Sequence, residues 1–553
     1  MLLAKLGSPL PPGDKHAVSV YLPTWQDTMN WAERDPELLS LMKTGYPRFF
    51  VPLIVRELAE RLVQWAASKT ASEAPDKEST KLLSTPGQLA LLTAGKGHAE
   101  SCRRYLEAQG KGAITVLHVR FSGALEILDN KQSTSSPRLH EDIYAVVYPR
   151  ELAVEAKAFW QHTGFGISSR CAEFWSGNAP FLHVSTANSN GLTPKLPLRE
   201  AEDASDVLRK RIGGLISTEM NKVGADAVYL YPSGMSSISH SATALSKMRG
   251  GEAKVCRVAI FGFLYVDTFK VLSKVYGFDC KLYGHATPSD LDQLEADLDG
   301  GLQIDALYTE FPGNPLLGSV DLERLYKLSK KHDFVFIVDD TVATSVNVSL
   351  LSFCDVVCTS LTKLFSGSCN VMGGSAVLNP QSERFERLRH IFAEQHVDTY
   401  FPEDVLVMEK NSADFEQRVV VASRNAERVA QMLRRHPAVS QVFYPKGNPT
   451  QDIYDRYRRP DKGYGYLLSI RFEQPEAAIA FHDALNVAKG PSLGTNFTLC
   501  CAYTLFAHFS ELEWAAQYGV VEHLVRISVG IEDEAELDDL VHRALQAAAE
   551  KHQ

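Results

Sequence analysis

From Val207 onward the chain alternates short apolar runs with amphipathic stretches. DVLRKRIGGLISTEM, SISHSATALSKM, VDTFKVLSKVYG and LERLYKLSKKHD carry helical periodicity. Between them, DAVYLYP, KVCRVAIFGFL, FDCKLYG, IDALYTE, VFIVDD and DVVCTS are short apolar runs of the kind buried on both faces of a parallel sheet. This alternation predicts an α/β large domain with a mostly parallel sheet. Beyond Pro380 the pattern turns helical. GYGYLLSIRF, AAIAFHDALNV, LVRISVG and a closing EDEAELDDLVHRALQAAAE helix then predict a smaller C-terminal α+β domain. Ahead of the alternating region, HAVSVYLPTW reads as a strand and TGYPRFFVPLIVRELAERLVQWAAS leads into a helix. KTASEAPDKESTKLLSTP is a polar linker or exposed loop, AESCRRYLEAQ a helix, and GAITVLHVRF a strand. The expected division is 1–150 as an N-terminal extension, 151–205 as an arm and connector, 206–400 as the large domain and 401–553 as the small one.

Composition narrows the class. The 553 residues are 45% hydrophobic and 22% charged, ordinary for a globular enzyme of two or more domains. The net charge of −10 argues against a general affinity for nucleic acid or an anionic membrane surface. Nine cysteines without paired spacing fit a reducing compartment rather than a disulfide framework or a metal site. Cys354 and Cys358 flank a buried strand and read as buried thiols. The apolar start is short and broken by Pro11-Pro12-Gly13, so a secretory leader is not expected, and no run approaches a membrane span. A cytoplasmic location is the expectation. Ala94-Gly95-Lys96-Gly97-His98 lacks the spacing and the Ser or Thr of a phosphate loop.

The chemistry gathers where strands end. Ligands of open α/β sheets bind beyond the C-terminal strand tips. Asp339 closes VFIVD, and DVVCTS delivers Lys363 in the run Ser360-Leu361-Thr362-Lys363. An aspartate to hold a protonated pyridine, a lysine to form a Schiff base and hydroxyls for a phosphate describe a pyridoxal 5′-phosphate (PLP) site. The plain alternative is two buried strands ending in polar residues. Ser233-Gly234-Met235 opens a helix just after a strand, which suits phosphate, although by itself an ordinary βα turn with a serine cap is the commoner reason for such a stretch. Tyr265 and Asn314, in Glu310-Phe311-Pro312-Gly313-Asn314-Pro315, follow two further strands. Five candidates on one sheet edge, Ser233, Tyr265, Asn314, Asp339 and Lys363, make separate accidental explanations implausible. Phe159 to Trp175 is a Gly/Ser-rich stretch bearing Arg170, which reads as an anion loop or a simple turn.

Lys363 in SLTK, Ser233-Gly234-Met235, Tyr265, Glu310 to Pro315, Val338-Asp339 and Arg526 in LVRISVGIED together resemble the Cys/Met-metabolism PLP enzymes. The extended N-terminus and Pro491-Ser492-Leu493-Gly494-Thr495 are similar to the fungal cystathionine γ-synthase branch. The resemblance implies fold type I, the aspartate aminotransferase-like architecture, with PLP as cofactor. Lys363 would carry the Schiff base and shuttle protons. Asp339 would pair with the ring nitrogen, and Tyr265 would stack on the ring and act as acid or base. Ser233, Gly234, Met235, Ser360 and Thr362 would hold the phosphate, joined by Arg170 reaching a neighbouring subunit in a homodimer or homotetramer. Arg526 would clamp the substrate carboxylate, with Asn314 and Ser492 nearby. The substrates would be small amino acids, with no metal involved.

Four positions depart from the family pattern: Ser168 in the phosphate arm, Asp340 after Asp339, Ser368 in the loop beyond Lys363, and Cys501 of Cys500-Cys501. The implied reaction is γ-replacement on an O-acyl-L-homoserine through a vinylglycine-type ketimine, with L-cysteine giving cystathionine. The alternatives are a carbon or nitrogen nucleophile such as a β-keto acid in specialised-metabolite biosynthesis, γ-elimination, or a degenerate PLP-fold regulatory subunit. Ser368 and Cys501 put the nucleophile in question.

Overall fold

The structure, a computed structural model, describes residues 5–46, 49–73, 83, 85–128, 140–183, 195–251 and 254–552. Parts of the polar stretches 69–86 and 179–200 lie outside those residues. Over 69–73 the first is not a loop: helix Leu53–Glu73 continues through those residues, and Thr70 returns its hydroxyl to the Ala66 carbonyl at 2.8 Å. The chain divides into two compact units, Met1–Tyr46 with Asp206–Gln395 and Met408–Gln553, and Pro47–Ser205 with His396–Val407.

The first unit is built on a seven-stranded sheet. In spatial order the strands are Val228–Tyr231, Gly374–Leu378, Val356–Thr359, Val335–Asp339, Ala306–Glu310, Arg257–Phe261 and Asp279–Tyr283. Every pairing is parallel except the two made by Gly374–Leu378. The inner strands are buried almost throughout, because helices cover both faces and only continuous apolar runs fill such positions. Val258, Ile260, Tyr308, Ile337 and Val356 pack with Leu245, Leu272 and Phe392 from the covering helices. Parallel order points the Asp339, Glu310 and Thr359 ends to one edge. Fold type I α/β architecture follows from this sheet and its helices.

A second sheet in the same unit orders Val439–Phe443, Leu467–Phe472, Val525–Ser528, Leu499–Ala502 and Ala488–Lys489, antiparallel but for the last pair. Its central strand carries Arg526. Residues 5–46 pack onto this unit. HAVSVYLPTW, expected as a full strand, contributes only Ser19–Val20, paired with Pro9–Leu10.

The other unit holds a four-stranded antiparallel sheet in the order Gln88–Thr93, Asp142–Pro149, Thr115–Arg120 and Leu125–Ile127. Leu58, Leu62 and Ala66 of helix Leu53–Glu73 pack with Leu117, Ile143, Ala145 and Trp175. Arg170, expected on a loop, lies in the first turn of helix Ser169–Asn178, because Ser168 caps it by accepting from the Cys171 N–H. Among the described residues, no helix is long and apolar enough to cross a membrane.

Candidate active site

Helix Gly234–Met248 starts two residues beyond the strand Val228–Tyr231, with Ser233 as its cap accepting from the Ser236 N–H at 3.1 Å. Its opening turn leaves the N–H groups of Gly234 and Met235 without helical acceptors, a ready anion site. A Cβ on Gly234 would stand 2.7 Å from the Ser360 Cβ, so only glycine lets the helix start close on Ser360. The Ser360 N–H donates to Thr341 Oγ1 at 2.8 Å. Thr362 has a different engagement: its hydroxyl donates to the Gly373 carbonyl and accepts from the Gly373 N–H, so its proton is committed to the backbone.

Strand register makes Glu310 and Asp339 direct neighbours. Burial, first, and the Asp339 charge push the Glu310 carboxyl up to about 8, against hydrogen bonds from the Tyr265 and Asn314 N–H groups. Burial pushes Asp339 up to about 6, opposed by hydrogen bonding from Thr341 and by the Lys363 charge. Burial raises both carboxyls, Glu310 further than Asp339, so of the pair Asp339 is the one that more readily carries the charge an aspartate needs to hold a proton on a ring nitrogen. Asp340 is committed to structure, accepting from Ser345 Oγ at 2.6 Å and Thr359 Oγ1 at 2.5 Å. Because the Glu310 value lies above its unfolded one, its stabilising contribution is complete below about pH 4.5 and is lost as pH rises through about 8. Calorimetry of the cofactor-free chain is expected to show Tm falling over that window, with the fall flattened in Glu310→Gln. Equal slopes in the two proteins count against this pairing.

Lys363 is buried, and its Nζ donates to Tyr46 Oη at 2.9 Å and to Ser492 Oγ at 3.1 Å. The nitrogen also lies 4.4 Å from the Tyr46 ring centroid. Among the described residues it forms no ion pair. A buried amine held by neutral hydroxyls is costly as mere structure, since buried ammonium groups are ordinarily paired. Gly494, at φ +69°, presses against Lys363: a Cβ there would meet the Leu364 nitrogen at 2.4 Å. Arg418 braces the same loop by donating to the carbonyls of Leu364, Phe365 and Asn411.

Ser492 is a strained residue at φ 109°, in a region that costs a side chain about 1–3 kcal/mol. Its carbonyl accepts from Arg526 Nη2 at 2.8 Å, while Arg526 Nη1 donates to Asn314 Oδ1 at 3.1 Å. Cys501 is the cross-strand partner of Arg526, and its buried thiol lies within hydrogen-bonding reach of the guanidinium. The Tyr503 ring lies beneath the same group, its centroid 4.7 Å away.

The structure thus brings Ser233, Gly234, Met235 and Ser360 together, and joins Lys363, Ser492, Arg526 and Asn314 in one hydrogen-bonded chain. Tyr265 is tied to the Asp339 edge through Glu310. Arg170 belongs to the other unit, where its Nη1 donates to Asp404 Oδ1 at 2.9 Å. Tyr46 and Glu310 were not among the expected site residues. Glu310 was findable as a carboxylate closing an apolar run; Tyr46 carries no local signal. The residues fit PLP: a glycine-gated helix start for phosphate, an aspartate at a strand tip, and a buried lysine that forms no ion pair among the described residues.

The family description "Cys/Met metabolism PLP-dependent enzyme" matches residues 203–546, and "Fungal trans-sulfuration enzyme, N-terminal domain" matches residues 54–168. The chain is 35% identical to a cystathionine gamma-synthase of Neurospora crassa, covering 99% of each. It is 36% identical to a cystathionine gamma-synthase-like enzyme of Amanita muscaria, covering 99% of this chain and 97% of that one. A crystal structure of cystathionine gamma synthase from Xanthomonas oryzae in complex with cystathionine matches with TM-score 0.55 at 23% identity, over 66% of this chain and 92% of that one. The chain belongs to the Cys/Met metabolism PLP-dependent enzyme family.

Proposed function

We propose that the enzyme catalyses γ-replacement on an O-acyl-L-homoserine, with L-cysteine as nucleophile and cystathionine as product. One observation carries this reading: Ser492 contacts both the Lys363 amine and the Arg526 guanidinium, setting a proton carrier beside a carboxylate clamp. Replacement at Cγ requires protons to leave Cα and then Cβ, and a single flexible amine serves both. PLP, when bound, supplies the electron sink that makes those C–H bonds acidic. Arg526, steadied by Asn314, binds the α-carboxylate and so fixes which C–H bonds face Lys363. Asp339 would keep a proton on the PLP ring nitrogen, Tyr265 would lie over the ring, and Ser233, Gly234, Met235, Ser360 and Thr362 would hold the phosphate, Thr362 with its hydroxyl braced on Gly373. Arg170 is assigned to a neighbouring subunit's phosphate in a homodimer or homotetramer; a monomeric mass by light scattering refutes that assignment. The names of the relatives, cystathionine gamma-synthase and cystathionine gamma-synthase-like, support the reaction class.

A second reading keeps the γ-substitution and replaces cysteine with a carbon or nitrogen nucleophile such as a β-keto acid. It is favoured by the buried Cys501 thiol against the clamp. Mass spectrometry of products from O-acetyl- and O-succinyl-L-homoserine, with cysteine, a β-keto acid, an amine or water alone, separates the readings. Cystathionine as the dominant product is expected. A new C–C or C–N adduct overturns the cysteine assignment, and release of an α-keto acid and ammonia in every mixture overturns replacement altogether.

A further inference from the structure

The segment 5–46 is clamped to the two loops that carry the reactive side chains. Val18 N–H donates to the Cys369 carbonyl at 2.8 Å, and Asn370 Nδ2 donates to Asp14 at 3.0 Å, both in the loop that follows Lys363. Leu22 N–H donates to the Lys489 carbonyl at 3.0 Å, and Ser19 Oγ donates to the Pro491 carbonyl at 2.5 Å, just ahead of Ser492. The backbone contact is close: a Cβ on Gly490 would stand 2.0 Å from the Val20 carbonyl oxygen. Trp25 anchors the middle of the segment, its N–H donating to Asp483 at 2.7 Å and its ring stacked on His523 with centroids 5.4 Å apart. Trp31 packs on Phe506, and Thr44 Oγ1 donates back to the Ala17 carbonyl at 3.2 Å. The segment then ends at Tyr46, whose hydroxyl accepts from Lys363 Nζ.

We infer that Tyr46 is a catalytic residue, delivered by this strap within its own chain to hold the Lys363 nitrogen in its protonated state between proton transfers. Two features favour that state together. The hydroxyl oxygen accepts an N–H, and the face of the ring attracts a cation lying 4.4 Å from its centroid. Ser492 supplies a second acceptor from the opposite end of the sequence, and the strap ties its loop to the Lys363 loop, so both acceptors are set by one piece of chain. The proton that Lys363 takes from one carbon is thereby kept on Nζ until the next carbon receives it. This rests on the PLP-dependent use of Lys363 and is independent of which nucleophile the enzyme accepts.

The test uses the holoenzyme without substrate. The pH midpoint of the bound cofactor's visible absorbance is compared in the parent protein, Tyr46→Phe and Tyr46→Ala. Removing the hydroxyl acceptor is expected to lower the midpoint by about 0.5 pH unit or more, and removing the ring as well to lower it further. In turnover, kcat of Tyr46→Phe is expected to fall about 10- to 100-fold, with KM for the amino acid changed less than about threefold. Tyr46→Phe keeps the packing of the ring, so a purely structural tyrosine leaves the midpoint where it was. An unchanged or raised midpoint in Tyr46→Phe overturns the proposal, whatever happens to stability. Because no acyl-homoserine is present in the absorbance measurement, its outcome is separate from the product analysis above.

Discussion

Lys363→Ala is expected to lose activity by about 10⁴-fold or more, the upper range for removing a positioned proton carrier, compounded here by loss of the covalent anchor. The visible absorbance of the bound cofactor disappears with it. The fold is expected to survive, because the Nζ contacts are two neutral hydroxyls, and Tyr46 and Ser492 can each bond water in the space left. Removing a buried amine that has no ion pair among the described residues also removes a desolvation cost, so Tm holds or rises. Lys363→Arg separates charge from chemistry: it keeps a cation over Tyr46 and is expected to be as inactive as the alanine variant. Retention of more than about a hundredth of the parent rate in Lys363→Ala sinks the assignment.

Arg526→Ala is the second large effect. Arg526 is 6% exposed on the central strand of the small sheet, so a carboxylate meeting its guanidinium does so largely out of water. Losing one partner of a buried charge pair costs about 2–5 kcal/mol, which is a drop of about 30- to 5,000-fold in kcat/KM, carried mainly by KM. The substitution also strips donors from Asn314 Oδ1 and the Ser492 carbonyl, loosening the residue that touches Lys363. Some loss in kcat therefore accompanies the rise in KM. Arg526→Lys recovers only part, since a point charge cannot bond the carboxylate, Asn314 and Ser492 together. Steady-state kinetics decides the matter; an unchanged KM for the amino acid means that the clamp lies elsewhere.

The strand-tip positions were legible because their signal is local. An apolar run that stops at a polar residue identifies a strand end, and parallel order sends such ends to one edge. Ser233, Asn314, Asp339 and Lys363 were readable in this way within windows of about ten residues. Gly374–Leu378 was not: five residues after a glycine-rich turn show no direction, and its antiparallel insertion between Val228–Tyr231 and Val356–Thr359 is a property of the whole sheet. Arg170 lies in a stretch whose glycines and serines suit loops and caps alike; the cap hydrogen bond that Ser168 accepts from the Cys171 N–H decides for helix.

By itself, the sequence determined the alternating α/β core, the positions of Asp339 and Lys363 at and beyond strand ends, and the helix start after Ser233, since each depends on residues adjacent in the chain. Only the tertiary structure decided which groups modify them. Register set Glu310 beside Asp339, whose charge adds to burial in raising the Glu310 carboxyl. Loop packing strained Ser492 into the space between Lys363 and Arg526. The strap carried Tyr46 to a lysine 317 positions away. Such contacts leave no periodicity to read, because they are stabilised by burial and hydrogen bonding that exist only once distant segments have already met.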